Sequence, residues 1–94
     1  MKRNFAVKIT GDKALILNTS GLALRVKKLY LVYETTVTTI DERLGLRTVT
    51  DEQNMDLELK PDSKIEIPLL IPTLKRISII FTKGEQTLRE DIEV

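Results

Sequence analysis

ISIIFTKGEQTLREDIEV, residues Ile77 to Val94, carries the clearest strand signal in the chain. Ile77, Ile79 and Phe81 recur at every second position, so in an extended chain they share one face. Lys83-Gly84-Glu85 interrupts the run with a turn signal, and Thr87 to Val94 returns as a second strand. The segment reads as an antiparallel hairpin with one apolar side.

The same alternation recurs towards the N-terminus. In FAVKIT, Phe5, Val7 and Ile9 alternate with Ala6, Lys8 and Thr10; Gly11-Asp12-Lys13 makes a tight connection, and Ala14 to Asn18 runs back as the partner. Thr19-Ser20-Gly21 breaks the pairing. Leu24 to Ile40 is rich in Val, Tyr and Thr and lacks Gly and Pro, which makes it too long for an average strand. It must bend, or project from its sheet. Asp41 to Gly45 reads as a turn, Leu46 to Thr50 as a strand and Asp51 to Asn54 as a polar loop. Met55, Leu57 and Leu59 alternate again up to the turn Lys60-Pro61-Asp62-Ser63, of type I or II. Ile65, Ile67 and Leu69 resume the apolar face; Pro68 cannot donate to a ladder and so marks an edge strand or a strand end, and Pro72 closes the segment. Seven to eight strands with turns about every ten residues predict a single all-β domain over residues 1–94, an antiparallel sandwich in first place and a small barrel in second. Phe5 and Phe81 lie in phase with inward aliphatics and are expected in the core.

Composition narrows the chemistry. The 94 residues include no His, Cys or Trp. Without histidine the chain lacks the commonest general acid or base at neutral pH and the commonest transition-metal ligand. Without cysteine it has no disulfide and no thiolate metal site, so burial and backbone hydrogen bonds must stabilise it. Fifteen basic and fourteen acidic residues leave a net charge of +1, which gives no general attraction for a polyanion and argues against nucleic acid. Lys8, Asp12 and Lys13 interrupt any signal-peptide core after Lys2 and Arg3, and no run reaches the length of a membrane span, so direct membrane insertion is not expected. Abundant Ile, Leu, Lys and Glu with few Asn, Gln and Met tilt the composition towards a thermophile.

Several clusters have both a chemical and a structural reading. Asp51, Glu52, Asn54, Asp56 and Glu58 offer oxygen ligands for calcium, but Asp56 and Glu58 alternate with apolar neighbours as solvent-facing strand residues do. Asn18-Thr19-Ser20 has the form of a glycosylation acceptor and equally that of a turn. Arg25, Lys27, Lys28, Lys75 and Arg76 make a basic patch if their strands are neighbours, although strand charges also guard against unwanted pairing. The acidic pairs Asp41-Glu42 and Glu90-Asp91 are each adjacent in the chain, and since neighbouring residues of a strand point to opposite faces, neither pair by itself is expected to flank one scissile bond. No catalytic residue, metal or cofactor is assigned.

Three stretches, ALILNTSGLALRVKKLYLVYE (Ala14–Glu34), MDLELKPDSKIEIPLLIP (Met55–Pro72) and ISIIFTKGEQTLREDIEV (Ile77–Val94), carry a family resemblance. Their punctuation is similar to that of the immunoglobulin-like domains of archaeal surface-filament proteins: archaellins, pilin-like proteins and stator components of the archaellum. Asp62 stands where those domains usually carry Gly. The resemblance implies an immunoglobulin-like sandwich acting outside the cytoplasm as a binding or assembly module, and it implies no individual functional residue.

Leu29-Tyr30-Leu31-Val32-Tyr33 is apolar in both phases, so part of it must lie outside a two-layer core. Leu69-Leu70-Ile71 and Ile79-Ile80-Phe81 repeat the pattern, and the Thr-rich run Thr35 to Thr39 suits strand addition. These features nominate Tyr30, Val32, Tyr33, Thr36, Thr38, Leu70 and Ile80 as a protein interface, with a second copy or another protein as partner. The expected function is a non-enzymatic interaction or assembly module. A particle component of a thermophilic archaeal virus and a nucleic-acid-binding barrel are the alternatives.

Overall fold

A computed structural model describes residues 3–38, 44–70 and 73–94. Seven strands lie among them: β1 (Phe5–Thr10), β2 (Lys13–Asn18), β3 (Leu24–Thr38), β4 (Leu44–Leu59), β5 (Lys64–Pro68), β6 (Leu74–Lys83) and β7 (Gln86–Glu93). They form two separate antiparallel sheets, ordered β1-β2-β5 and β4-β3-β6-β7. The all-β, two-layer reading therefore holds and the closed barrel does not. Of the expected segments, Thr39 to Arg43, Ile71 and Pro72 lie outside the described residues.

Local chemistry explains the turns. In each hairpin, β1–β2 and β6–β7, two residues separate the last paired positions, Thr10↔Lys13 and Lys83↔Gln86. Gly11 and Gly84 occupy the first central position with φ of 60° and 63°, as a type II′ turn requires. At the β4–β5 turn the Ser63 amide donates to the Lys60 carbonyl at 3.1 Å. Asp62, at the third position, has φ of 63°, so the turn is type II with an aspartate in the left-handed position that usually takes Gly. Pro68 ends β5, an edge strand.

The central strand β3 organises the core. Strict alternation from Leu24 and Val26 would turn Leu29, Leu31 and Tyr33 outwards. Both ladders of β3 shift register between Val26 and Lys28, and this bulge resets the phase. All five side chains are consequently buried. Opposite them on β6, Phe81, Ile79 and Ile77 pair with Val26, Leu29 and Leu31. A second shift between Val32 and Tyr33 brings Leu74 inwards beside Tyr33. The short-stranded sheet contributes Phe5, Ala14, Ile16 and Ile67, with Val7, Ile65 and Leu69 partly buried against the cluster. Phe5 meets Phe81 across the two layers edge to face, with centroids 4.9 Å apart and rings at 85°. Each such large apolar side chain contributes on the order of 2 kcal/mol by leaving water.

The polar loop expected at Asp51 to Asn54 is instead the middle of β4, which runs unbroken from Leu44 to Leu59. Pairing with β3 supplies a ladder partner to these polar residues, Asp51 facing Leu31 and Gln53 facing Leu29, and this outweighs their low strand propensity. Leu44 and Gly45, expected in a turn, open the same strand.

Two polar clamps tie the sheets together. Asn18 is fully buried at the end of β2. Its Nδ2 donates to the carbonyls of Leu22 at 2.7 Å and Leu59 at 2.8 Å, and its Oδ1 accepts from the amide and hydroxyl of Ser20 at 3.0 and 2.7 Å. Its own amide donates to the Ser63 carbonyl, and its carbonyl accepts from the Asp62 amide. Both donors and both acceptors of the side chain are thus used, so the Asn-Thr-Ser triplet serves as a structural junction and its amide nitrogen is not free to carry a glycan. At the other clamp Glu90, on β7, accepts through Oε1 from the Asn4 amide and side chain and through Oε2 from the Phe5 amide. It joins the start of β1 to the opposite layer. Asn18→Ala would strand the buried Leu59 carbonyl, and the expected loss of unfolding free energy is about 1–3 kcal/mol by urea denaturation. Asn18→Asp should be at least as damaging at neutral pH, where its carboxylate faces the Leu22 and Leu59 carbonyls, and partly relieved in acid, where a protonated carboxyl can again donate.

Candidate interaction surface

The pairing of β3 with β6 stops at Tyr33↔Leu74, whereas its pairing with β4 continues to Thr38↔Leu44. Glu34 still bonds the loop before β6 through its amide, 3.1 Å from the Thr73 carbonyl. Among the described residues, Thr35 to Thr38 and Leu44 to Arg47 pair only with each other, forming a two-stranded arm. The protein is correspondingly elongated, with extents of 52 × 26 × 26 Å. A two-stranded ribbon has no second layer to cover it and is marginal in water by itself. Leu46 on this arm is 73% exposed, and Val49 at its root is 39% exposed.

The proposed interface residues divide between three places. Tyr30, Val32 and Ile80 are half-buried on the outer face of the four-stranded sheet. Thr36 is exposed and paired with Leu46, in phase with Tyr30 and Val32, so that face continues onto the arm. Thr38 pairs with Leu44 through the backbone, and its side chain lies outside the described residues. Leu70 is 66% exposed in the segment after β5, and its amide donates to the Tyr33 hydroxyl at 3.1 Å. Tyr33 itself is a correction. The β3 bulge puts its ring in the core with 0% exposure, and only its hydroxyl finds a polar partner. Leu46 and Val49 were not singled out from the sequence, because neither stands in a run of consecutive apolar residues.

A shallow groove of about 270 Å³ crosses the outer face between Tyr30, Val32, Thr50, Arg76, Ser78 and Arg89. Its surroundings are charged but mutually neutralised. Lys28 meets Glu52 at 2.6 Å, Arg89 meets Asp91 at 2.9 Å and Arg76 meets Glu93 at 3.8 Å. Arg25 and Lys27 both contact Asp56, at 3.0 and 3.1 Å. The basic patch is therefore a set of paired charges, except that no ion pair is described for Lys75. The acidic residues considered for calcium are strung along both faces of β4, where Glu52 and Asp56 hold cations of the protein itself and Asp51 accepts from Gln53. No group of three potential ligands gathers among the described residues. Glu90 and Asp91 point to opposite faces, Glu90 to the Asn4 and Phe5 amides and Asp91 to Arg89.

Lys27 first and Arg25 second hold the Asp56 carboxyl below its ordinary value, the Ser78 hydroxyl and Arg89 do the same to Asp91, and Glu52 raises the Lys28 ammonium. A lowered carboxyl pKa contributes stability above the unfolded value and loses it as pH falls through the folded one. Wild type should accordingly melt at a lower temperature as pH drops below about 4. Because Asp56 is fully exposed, Asp56→Asn should change the melting point little at neutral pH, and the remaining difference should vanish in acid. The raised Lys28 acts in the opposite sense: its contribution is present below the ordinary lysine value and fades only in strong alkali.

No family model, curated protein or solved structure matches the chain.

Proposed function

We propose that the chain is a non-enzymatic protein–protein interaction or assembly module with an immunoglobulin-like sandwich, self-associating, and part of a cell-surface or filament-associated structure. The β3–β4 arm carries this reading: a ribbon paired to no third strand among the described residues, with Leu46 uncovered, is an element that gains stability against another surface. The outer face around Tyr30, Val32 and Ile80 continues in phase onto it past Glu34 and Thr48 to Thr36 and Leu46. In support of the immunoglobulin-like likeness, the constant-type arrangement puts strands 1, 2, 5 and 4 on one sheet and 3, 6 and 7 on the other. The present order differs from it only in that β4 has moved beside β3.

Light scattering over a concentration series tests this reading. The full chain should exceed its monomer mass of 10.7 kDa at high concentration, and the association should persist in salt because apolar burial contributes to it. Replacing residues 35–47 by Asn-Gly joins Glu34 to Thr48 through a two-residue turn and leaves the sandwich intact. That shortened chain should be monomeric. A wild type that is monomeric at every concentration, or a shortened chain that assembles equally well, would overturn the proposal.

A further inference from the structure

The assembly reading leaves the partner and the contact open, and the free edge of β4 supplies both. Four strands border the sheets: β1, β5, β4 and β7. Three edges carry the usual protection against pairing. β1 and β5 are short, with six and five residues, β5 ends in Pro68, and β7 carries Arg89, Glu90, Asp91 and Glu93. β4 is 16 residues long, and its stretch Leu46-Arg47-Thr48-Val49-Thr50 contains one charge and three residues of high strand propensity.

That stretch is complementary to itself. Joining two copies edge to edge through a twofold axis perpendicular to the sheet keeps the faces aligned, so each residue meets a residue an even number of positions away. With the axis at Val49, Val49 meets its own copy, Thr48 meets Thr50 and Arg47 meets Asp51, each of the latter pairs occurring twice. Moving the axis to residue 47 or 51 opposes Arg47 to Arg47 or Asp51 to Asp51, and placing it at 48 or 50 leaves Arg47 opposite Val49 or Gln53. Other acidic residues of β4, at 52, 56 and 58, lie at odd separations from Arg47 and fall on the wrong face. Only the Val49 register matches the charges. Arg47 is exposed and Val49 partly so, and both lie where the arm leaves the body, so each arm would run along the β4 edge of the other copy.

We infer that two copies of this chain dimerise by antiparallel β4–β4 pairing centred on Val49, joining two four-stranded sheets into one of eight strands. The inference rests on the assembly reading. Main-chain hydrogen bonds hold the pair, and the Arg47–Asp51 and Thr48–Thr50 contacts fix its register.

The cysteine-free sequence makes the test clean. Opposed Cα atoms in an antiparallel pair lie within disulfide reach, so Val49→Cys should cross-link to a covalent dimer on mild oxidation. Leu46→Cys, which is more exposed but opposite Glu52, should cross-link far less. Arg47→Asp and Asp51→Arg should each weaken dimerisation about tenfold by sedimentation equilibrium, since each places like charges opposite one another twice. Mixing these two variants restores both opposite-charge pairs in a heterodimer and should recover wild-type affinity; far-ultraviolet circular dichroism confirms that each remains folded. A dimer that survives both single charge variants, with no cross-link at Val49, would overturn the β4 pairing and leave the assembly reading standing. A monomeric wild type would overturn both.

Discussion

A register shift in both ladders of the central strand determines which of its side chains are inside. β3 lies between β4 and β6 and carries five of the buried apolar side chains, but these fall in two different phases of the strand. The bulge between Val26 and Lys28 reconciles them. Without it either Leu24 and Val26 or Leu29, Leu31 and Tyr33 would face water, and Phe81, Ile79 and Ile77 would lose their partners in register. The bulge also fixes the outer face. Because Leu29, Leu31 and Tyr33 point inwards, Tyr30 and Val32 must point outwards, beside Ile80 and along the strand from Thr36.

Packing of the long strands thus sets the surface, and polar bonding sets the relation between the layers. The three-stranded sheet is small, and apolar contacts from Phe5, Ala14, Ile16 and Ile67 are supplemented by Asn18 and Glu90 at the end where Phe5 pairs with Asn18. Buried polar groups with every partner in place restrict the ways in which two greasy surfaces can slide over each other. Asn18 bonds the β2–β3 loop, the end of β4 and the β4–β5 turn at once, which places the root of the long hairpin in a defined position relative to the other layer.

Much of this was legible in the sequence, for particular reasons. Alternation in Phe5 to Thr10 and Ile77 to Phe81, with Gly11 and Gly84 between them and their partners, located both tight hairpins because period and turn chemistry agree there. The excess length of the segment after Leu24 called for a bend or a projection, and β3 shows register shifts within it and an end that outruns β6. The bulge itself could not be placed, since Val26-Lys27-Lys28 is an ordinary strand sequence and only the ladders on either side locate the shift. For that reason the local sequence around Tyr33 points to the surface, whereas its ring lies in the core. Asp51 to Asn54 looked like a loop because propensity is local, whereas pairing with β3 is not. Asn18 resembled an acceptor site because its partners are as far away as Leu59.

The candidate surface follows from what the fold leaves uncovered. Most of its charges are paired among themselves, Leu46 on the arm lies on the same face as Tyr30 and Val32, and the long edge of β4 carries one charge between Leu46 and Thr50. Hydrogen exchange measured residue by residue at several protein concentrations is the most direct test of whether that surface is an association site. Amides in the interior of β6 should be protected to the same degree at every concentration, while those of Gly45 to Asp51 should become more protected as concentration rises. Protection of Gly45 to Asp51 that stays the same from dilute to concentrated solution would contradict the account.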